Sequence, residues 1–95
     1  MTSSVPAIRL EVVGRVQGVG FRWFVREHAR RGDLAGWVRN RPDGSVEIEV
    51  AGDEEGVARL LQAVRTGPPG AVVEGIREQP VDPGARLPHP FGILK

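Results

Sequence analysis

Nine residues, Gly14-Arg15-Val16-Gln17-Gly18-Val19-Gly20-Phe21-Arg22, join two incompatible periodicities. Before them, Ile8, Leu10 and Val12 alternate with Arg9, Glu11 and Val13, the period of a strand. After them, Phe21, Phe24, Val25 and the pair His28 and Ala29 recur at helical spacing, opposite Arg26, Glu27, Arg30 and Arg31. The chain must pass from extended to helical within that run. Gly14, Gly18 and Gly20 allow a tight turn and let main-chain N–H groups approach a ligand with no Cβ in the way. A helix start carries unpaired N–H groups and the positive end of the dipole, both of which favour an anion. Arg22 adds a permanently charged fork that matches phosphate oxygens. Residues 12–26 hold Arg15, Arg22 and Arg26 and no carboxylate. These features predict a phosphate-binding loop of main-chain N–H groups, with Arg22 at its end.

The run is neither Gly-x-x-x-x-Gly-Lys-Ser/Thr nor Gly-x-Gly-x-x-Gly, so nucleotide and dinucleotide loops are excluded or poorly supported. A basic glycine-rich connection without function is the alternative. The lack of acids and the position of Arg22 weigh against it.

Further along, residues 34–40 predict a second strand with Leu34, Gly36, Val38 and Asn40 on one face, after a helix ended by Gly32 as its C′ residue. Pro42-Asp43-Gly44 predicts a turn. Val46, Ile48 and Val50 alternate with Glu47, Glu49 and Ala51, a half-buried strand whose glutamates are expected to face water. Asp53 suits a helix N-cap, with Glu54 and Glu55 in the first turn and Val57, Leu60, Leu61 and Val64 as the apolar stripe. Gly67-Pro68-Pro69 stops that helix. A weaker strand spans residues 71–78, a loop with four prolines spans 79–90, and Phe91-Gly92-Ile93-Leu94 closes as a short strand. The order β-α-β-β-α-β is the split βαβ pattern. The predicted class is α+β: a ferredoxin-like sandwich with two helices on one face of a mostly antiparallel sheet and a short C-terminal strand.

A chain of 95 residues makes one domain, residues 1–95. No apolar run reaches 18 residues, and the first residues lack a signal-peptide pattern, so a soluble cytoplasmic protein is expected. With no cysteine, disulfides, thiolate chemistry and Cys metal sites are excluded. A net charge of +1 does not argue for nucleic acid. An RNA-binding sheet face would need stacking aromatics, whereas the central strands offer Arg9, Glu11, Val13, Glu47 and Glu49. Neither nucleic acid nor membrane is expected as a partner, and a monomer is expected.

Topology links distant residues. A right-handed β-α-β crossover makes its strands parallel, so both end at one sheet edge. Arg22 and Asn40 should therefore face a common site. Asn40 is the only asparagine, and Arg39 and Arg41 flank it. A carboxamide there can accept from a water and donate to a phosphate oxygen, which suits orientation of a nucleophile. Asn40 could also be a mere hairpin-entry residue. No carboxylate pair, Cys-His pair or metal-ligand cluster is visible; His28 and His89 suit structural roles, and Ser45 has no nearby histidine. Such a pocket lacks a strong acid or base. That points to a carboxylic–phosphoric anhydride, whose leaving carboxylate needs no proton near neutral pH.

Gly14 to Arg22, followed by Gly36-Trp37-Val38-Arg39-Asn40, Asp43-Gly44-Ser45-Val46-Glu47 and the closing Phe91-x-Ile93, strongly resembles the acylphosphatase family over essentially the whole chain. The resemblance implies a ferredoxin-like fold and hydrolysis of acyl phosphates to carboxylate and inorganic phosphate without metal or cofactor. It implies that Arg22 binds phosphate with the main-chain N–H groups of Val16, Gln17, Gly18, Val19, Gly20 and Phe21, and that Asn40 positions the attacking water. Inorganic phosphate should be product and competitive inhibitor. Trp23 is open between packing and a wall of the acyl pocket. The alternative function is a non-catalytic phosphate-binding regulatory module of the same fold.

Overall fold

The structure, a computed structural model, describes residues 4–81 and 86–95. The elements run β1 (Ser4–Arg15), α1 (Phe21–Arg31), β2 (Ala35–Asn40), β3 (Val46–Asp53), α2 (Glu54–Thr66), β4 (Val72–Gln79) and β5 (Gly92–Ile93). The five strands form one sheet in the order β4-β1-β3-β2-β5. All pairings are antiparallel except β2 with β5, which is parallel. The predicted ferredoxin-like order is present, with β5 extending the sheet beyond β2.

The apolar alternation builds one core between the sheet and its two helices. Leu10 and Val12 of β1, Val38 of β2, and Val46, Ile48 and Val50 of β3 are buried. The helices cover them with Phe21, Val25 and Ala29 of α1 and Val57, Leu60 and Val64 of α2. Asp53 caps α2, its side chain accepting from the Gly56 N–H at 2.9 Å. The loss of each of these large apolar side chains would cost several kcal/mol, because a close-packed interior leaves a cavity when one is truncated.

Register aligns the functional end. Val46 of β3 stands opposite Val12 on one side and Asn40 on the other. Asn40 thus lies level with β1 just before its glycine-rich exit.

Three expectations are corrected. Glu47 and Glu49 do not face water: they are 1% and 3% exposed. They point away from the helices, as their alternation requires, but long arginine side chains lie over that face. Glu47 receives Arg9 (Nε, 2.8 Å), Arg39 (Nε, 2.6 Å) and Arg41 (Nη1, 3.1 Å). The Arg9 and Arg39 guanidinium groups also flank the Trp37 ring, at 5.8 and 5.1 Å from its centroid. Arginine stems can roof a sheet face that has no second layer. Second, Gly32 is the C-cap of α1 with φ −87° and not its C′ residue; Asp33, one place on, takes the left-handed conformation with φ 55°. Third, the closing strand is confined to Gly92–Ile93. Of the proline-rich loop, residues 82–85, which include Pro83, lie outside the described residues. Its last part returns to the sheet, where the Gly36 N–H donates to Pro88 O at 2.8 Å.

Candidate active site

The predicted anion loop is the stretch from the end of β1 to the start of α1. Gly18 and Gly20 hold φ 76° and 77°, a conformation that L side chains rarely adopt. Space does not demand glycine there, since an added Cβ would meet nothing within 4 Å. Gly14 serves the sheet instead: it sits at a register shift between β1 and β4, and a Cβ would collide with Val72 O. So two of the three glycines shape the loop, and the third packs strand against strand.

Gly20 is the N-cap of α1 and supplies no side-chain cap, and the first turn contains no acid. The first helical bond is Phe24 N–H to Gly20 O at 3.0 Å. The N–H groups of Gln17, Gly18, Val19, Gly20, Phe21 and Arg22 donate to no protein acceptor among the described residues. A cluster of unpaired donors at a positive helix end attracts an oxyanion.

Arg22 and Asn40 line one cleft of about 410 Å³, together with Val16, Gly18, Gly20 and Phe21 of the loop. The expected convergence of strand ends is therefore present. Arg22 forms no ion pair with any carboxylate among the described residues. Arg39 and Arg41 behave differently: alternation turns them to the other sheet face, where Glu47 binds both. Arg15 and Arg26 do not line the cleft either. Of the basic neighbourhood read from the sequence, only Arg22 reaches the cleft. Asn40 Oδ1 is buried and accepts from no donor among the described residues. An oxygen left so costs free energy unless water or a ligand donates to it.

The sequence left other lining residues unassigned. Trp23, 59% exposed, lines the cleft, which favours a wall over core packing. Ile93 and Lys95 line it too. No sequence spacing signals them, because β5 reaches the site only by pairing with β2. Val19 packs against the core, and the Gln17 side chain turns to the β2–β3 turn. The predicted role of both residues concerns their main-chain N–H groups.

Other features do not compete. His28 packs against Phe24 with ring centroids 4.4 Å apart and planes tilted by 55°, and His89 meets Asp33 at 2.8 Å. Ser45 donates to Asp43 Oδ1 at 2.6 Å, and this bond, with the main-chain Ser45 N–H, holds the Asp43 carboxyl below its usual range. Among the described residues no group of three His, Asp or Glu could hold a metal ion, and no helix is long and apolar enough to cross a membrane. A larger groove, about 520 Å³, runs between α2 and β4. It carries the carboxylates of Glu74 and Glu78 against one cation, Arg65, a balance that disfavours a phosphate.

Known proteins resemble this chain in sequence and in fold. The family model described as Acylphosphatase matches residues 8–93. An acylphosphatase of Acidiphilium cryptum is 54% identical over 82 residues, covering 82% of this chain and 90% of that protein. One of Rhizobium etli is 41% identical over 93 residues, covering 98% of each. The crystal structure of acylphosphatase from Bacillus subtilis superposes with a TM-score of 0.78 at 41% identity, covering 94% of this chain and 98% of that one. A family model matched over residues 8–93 and relatives of this identity over most of both chains lead to one conclusion: the chain belongs to the acylphosphatase family.

Proposed function

We propose that this chain hydrolyses acyl phosphates by in-line attack of a water held by Asn40 on a phosphoryl group held by Arg22 and the amides of residues 16–21. The carboxamide of Asn40 accepts from the water and aims its oxygen at phosphorus. As the new P–O bond forms, the bond from phosphorus to the acyl oxygen breaks. Its electron pair leaves on the carboxylate, and the water's proton passes to a phosphoryl oxygen. The products are a carboxylate and inorganic phosphate. Because the carboxylate is a stable anion at neutral pH, no general acid is required. Positioning and charge stabilisation supply the rate. The reaction needs no metal.

One observation carries this reading: Arg22 and Asn40 line the same cleft as the loop, whose N–H groups have no protein acceptor among the described residues. The Asn40 Oδ1, which accepts from no donor among the described residues, is the oxygen that would take the water's hydrogen bond. Relatives named acylphosphatase weigh against a non-catalytic phosphate-binding module. We take the protein to act as a monomer, with residues 1–95 as one domain. The protein should act in the cytoplasm.

The test is direct. Purified protein is mixed with a simple aromatic acyl phosphate and excess chelator, and the ultraviolet absorbance is followed. Rapid loss of absorbance, competitively slowed by inorganic phosphate, is the expected outcome. No turnover, or turnover abolished by chelator and restored by a divalent metal, overturns the reading.

A further inference from the structure

The Gln17 side chain leaves the anion loop and reaches the β2–β3 turn. Its Nε2 lies 2.8 Å from Arg41 O and 2.8 Å from Ser45 O. These carbonyls mark the two ends of the turn that follows Asn40. Each already accepts a main-chain hydrogen bond: Ser45 O from the Arg41 N–H at 2.9 Å, and Arg41 O from the Gly44 N–H at 3.1 Å. The fork is therefore not needed to satisfy them, since a carbonyl has two lone pairs and water reaches a turn easily. Its effect is to join two segments. Among the described residues no other hydrogen bond links residues 16–20 with residues 41–45.

We propose that Gln17 is a positioning residue, whose carboxamide ties the anion loop to the turn after Asn40 and sets the separation between bound phosphoryl group and attacking water. This rests on the function proposed above. The two halves of the site have separate supports. The loop and Arg22 belong to β1 and α1, and Asn40 belongs to the end of β2. Within the loop, Gly18 and Gly20 lack side chains to brace it against the turn. The two N–H bonds of one amide triangulate the loop against both ends of the turn. A displacement of about 1 Å between nucleophile and electrophile can cost on the order of 10²-fold in rate. Phosphate affinity should depend less on the tether, because the grip is made within the loop and by Arg22.

Two variants test it against inorganic phosphate and an aromatic acyl phosphate. Gln17→Met keeps length and removes both donors. We expect kcat to fall on the order of 10-fold or more, with the inhibition constant of inorganic phosphate changed less than about threefold. In an Asn40→Ala background the same substitution should cost little further, because the tether acts through Asn40. Gln17→Glu turns an anion toward two carbonyl oxygens. Its kcat should rise as pH falls through the carboxyl titration, when one O–H donor returns; the parent protein should show no such rise. An unchanged kcat in Gln17→Met overturns the proposal. So does an equal loss with and without Asn40, a parallel loss of phosphate affinity, or a Gln17→Glu profile matching the parent's. If Gln17→Met does not fold, the Gln17→Glu profile decides. Failure of the unaltered protein to turn over substrate is a different result, and it would overturn the hydrolase reading itself.

Discussion

At the scale of single residues, arginines of this chain are sorted by whether a carboxylate holds them. Arg9, Arg39 and Arg41 are bound to Glu47, whereas Arg22 forms no such pair among the described residues and lines the cleft. Arg22→Ala should abolish both turnover and competition by inorganic phosphate, as kinetic assays and calorimetric phosphate titration would record. Arg22→Lys should recover little, since a point charge lacks the planar fork. Asn40→Ala should separate the two functions: kcat down on the order of 10²-fold, phosphate affinity near the parent value. A fully active Asn40→Ala enzyme would remove the water-holding role. Both residues were legible in the sequence, Arg22 by its place at a helix start and Asn40 by topology. The Gln17 side chain was not, because a hydrogen bond across 24 positions leaves no local periodicity.

Elements owe their ends to local chemistry and their faces to neighbours. The start of α2 at Asp53 follows from an N-cap preference, and the side chain makes that bond. Asp53→Ala should lower stability by about 1 kcal/mol in urea unfolding, with the m-value unchanged. Strand β3 shows the limit of alternation: it assigns Glu47 to the face away from the helices and says nothing of what covers that face. Burial pushes the Glu47 carboxyl up, but hydrogen bonds from Arg39 and Arg9 and their charges outweigh it, so its pKa lies below the ordinary carboxylate value. A depressed folded-state pKa means that the ionised form favours the fold. The resulting stability is complete above the unfolded pKa, about 4.3, and is lost as pH falls through the folded value. Glu47→Gln should destabilise at neutral pH by roughly 2 kcal/mol, less than the ~3–5 of a fully buried pair. The difference arises because the arginine side chains remain 28%, 39% and 38% exposed. The gap between parent and variant should narrow in urea titrations below about pH 4; a constant gap would contradict the ionic role.

The whole molecule closes around its C-terminal segment. Phe91 is fully buried, its carbonyl accepts from Arg30 Nε at 2.8 Å, and β5 then pairs with β2 beside the cleft. Truncating Phe91 to alanine should cost about 3–5 kcal/mol, a large share of the ~5–15 available to a domain. Thermal unfolding should drop accordingly. If β5 loosens with it, KM should rise as Ile93 and Lys95 leave the cleft wall. A small thermal shift would show that the C-terminal segment is an accessory to the core.

Element types, their order, the helix cap at Asp53 and the glycine-shaped loop were determined by the sequence itself, because propensity, capping and turn geometry act over a few neighbouring residues. The topology rule carried two distant residues, Arg22 and Asn40, to one sheet edge, since a right-handed crossover leaves strands few alternatives. Tertiary structure alone decided which arginines remain unpaired, that Glu47 and Glu49 are roofed over, and that Gln17, Ile93 and Lys95 join or brace the cleft. Those outcomes depend on side chains that meet across strands and loops, where burial and charge pairing are settled by packing rather than by sequence spacing.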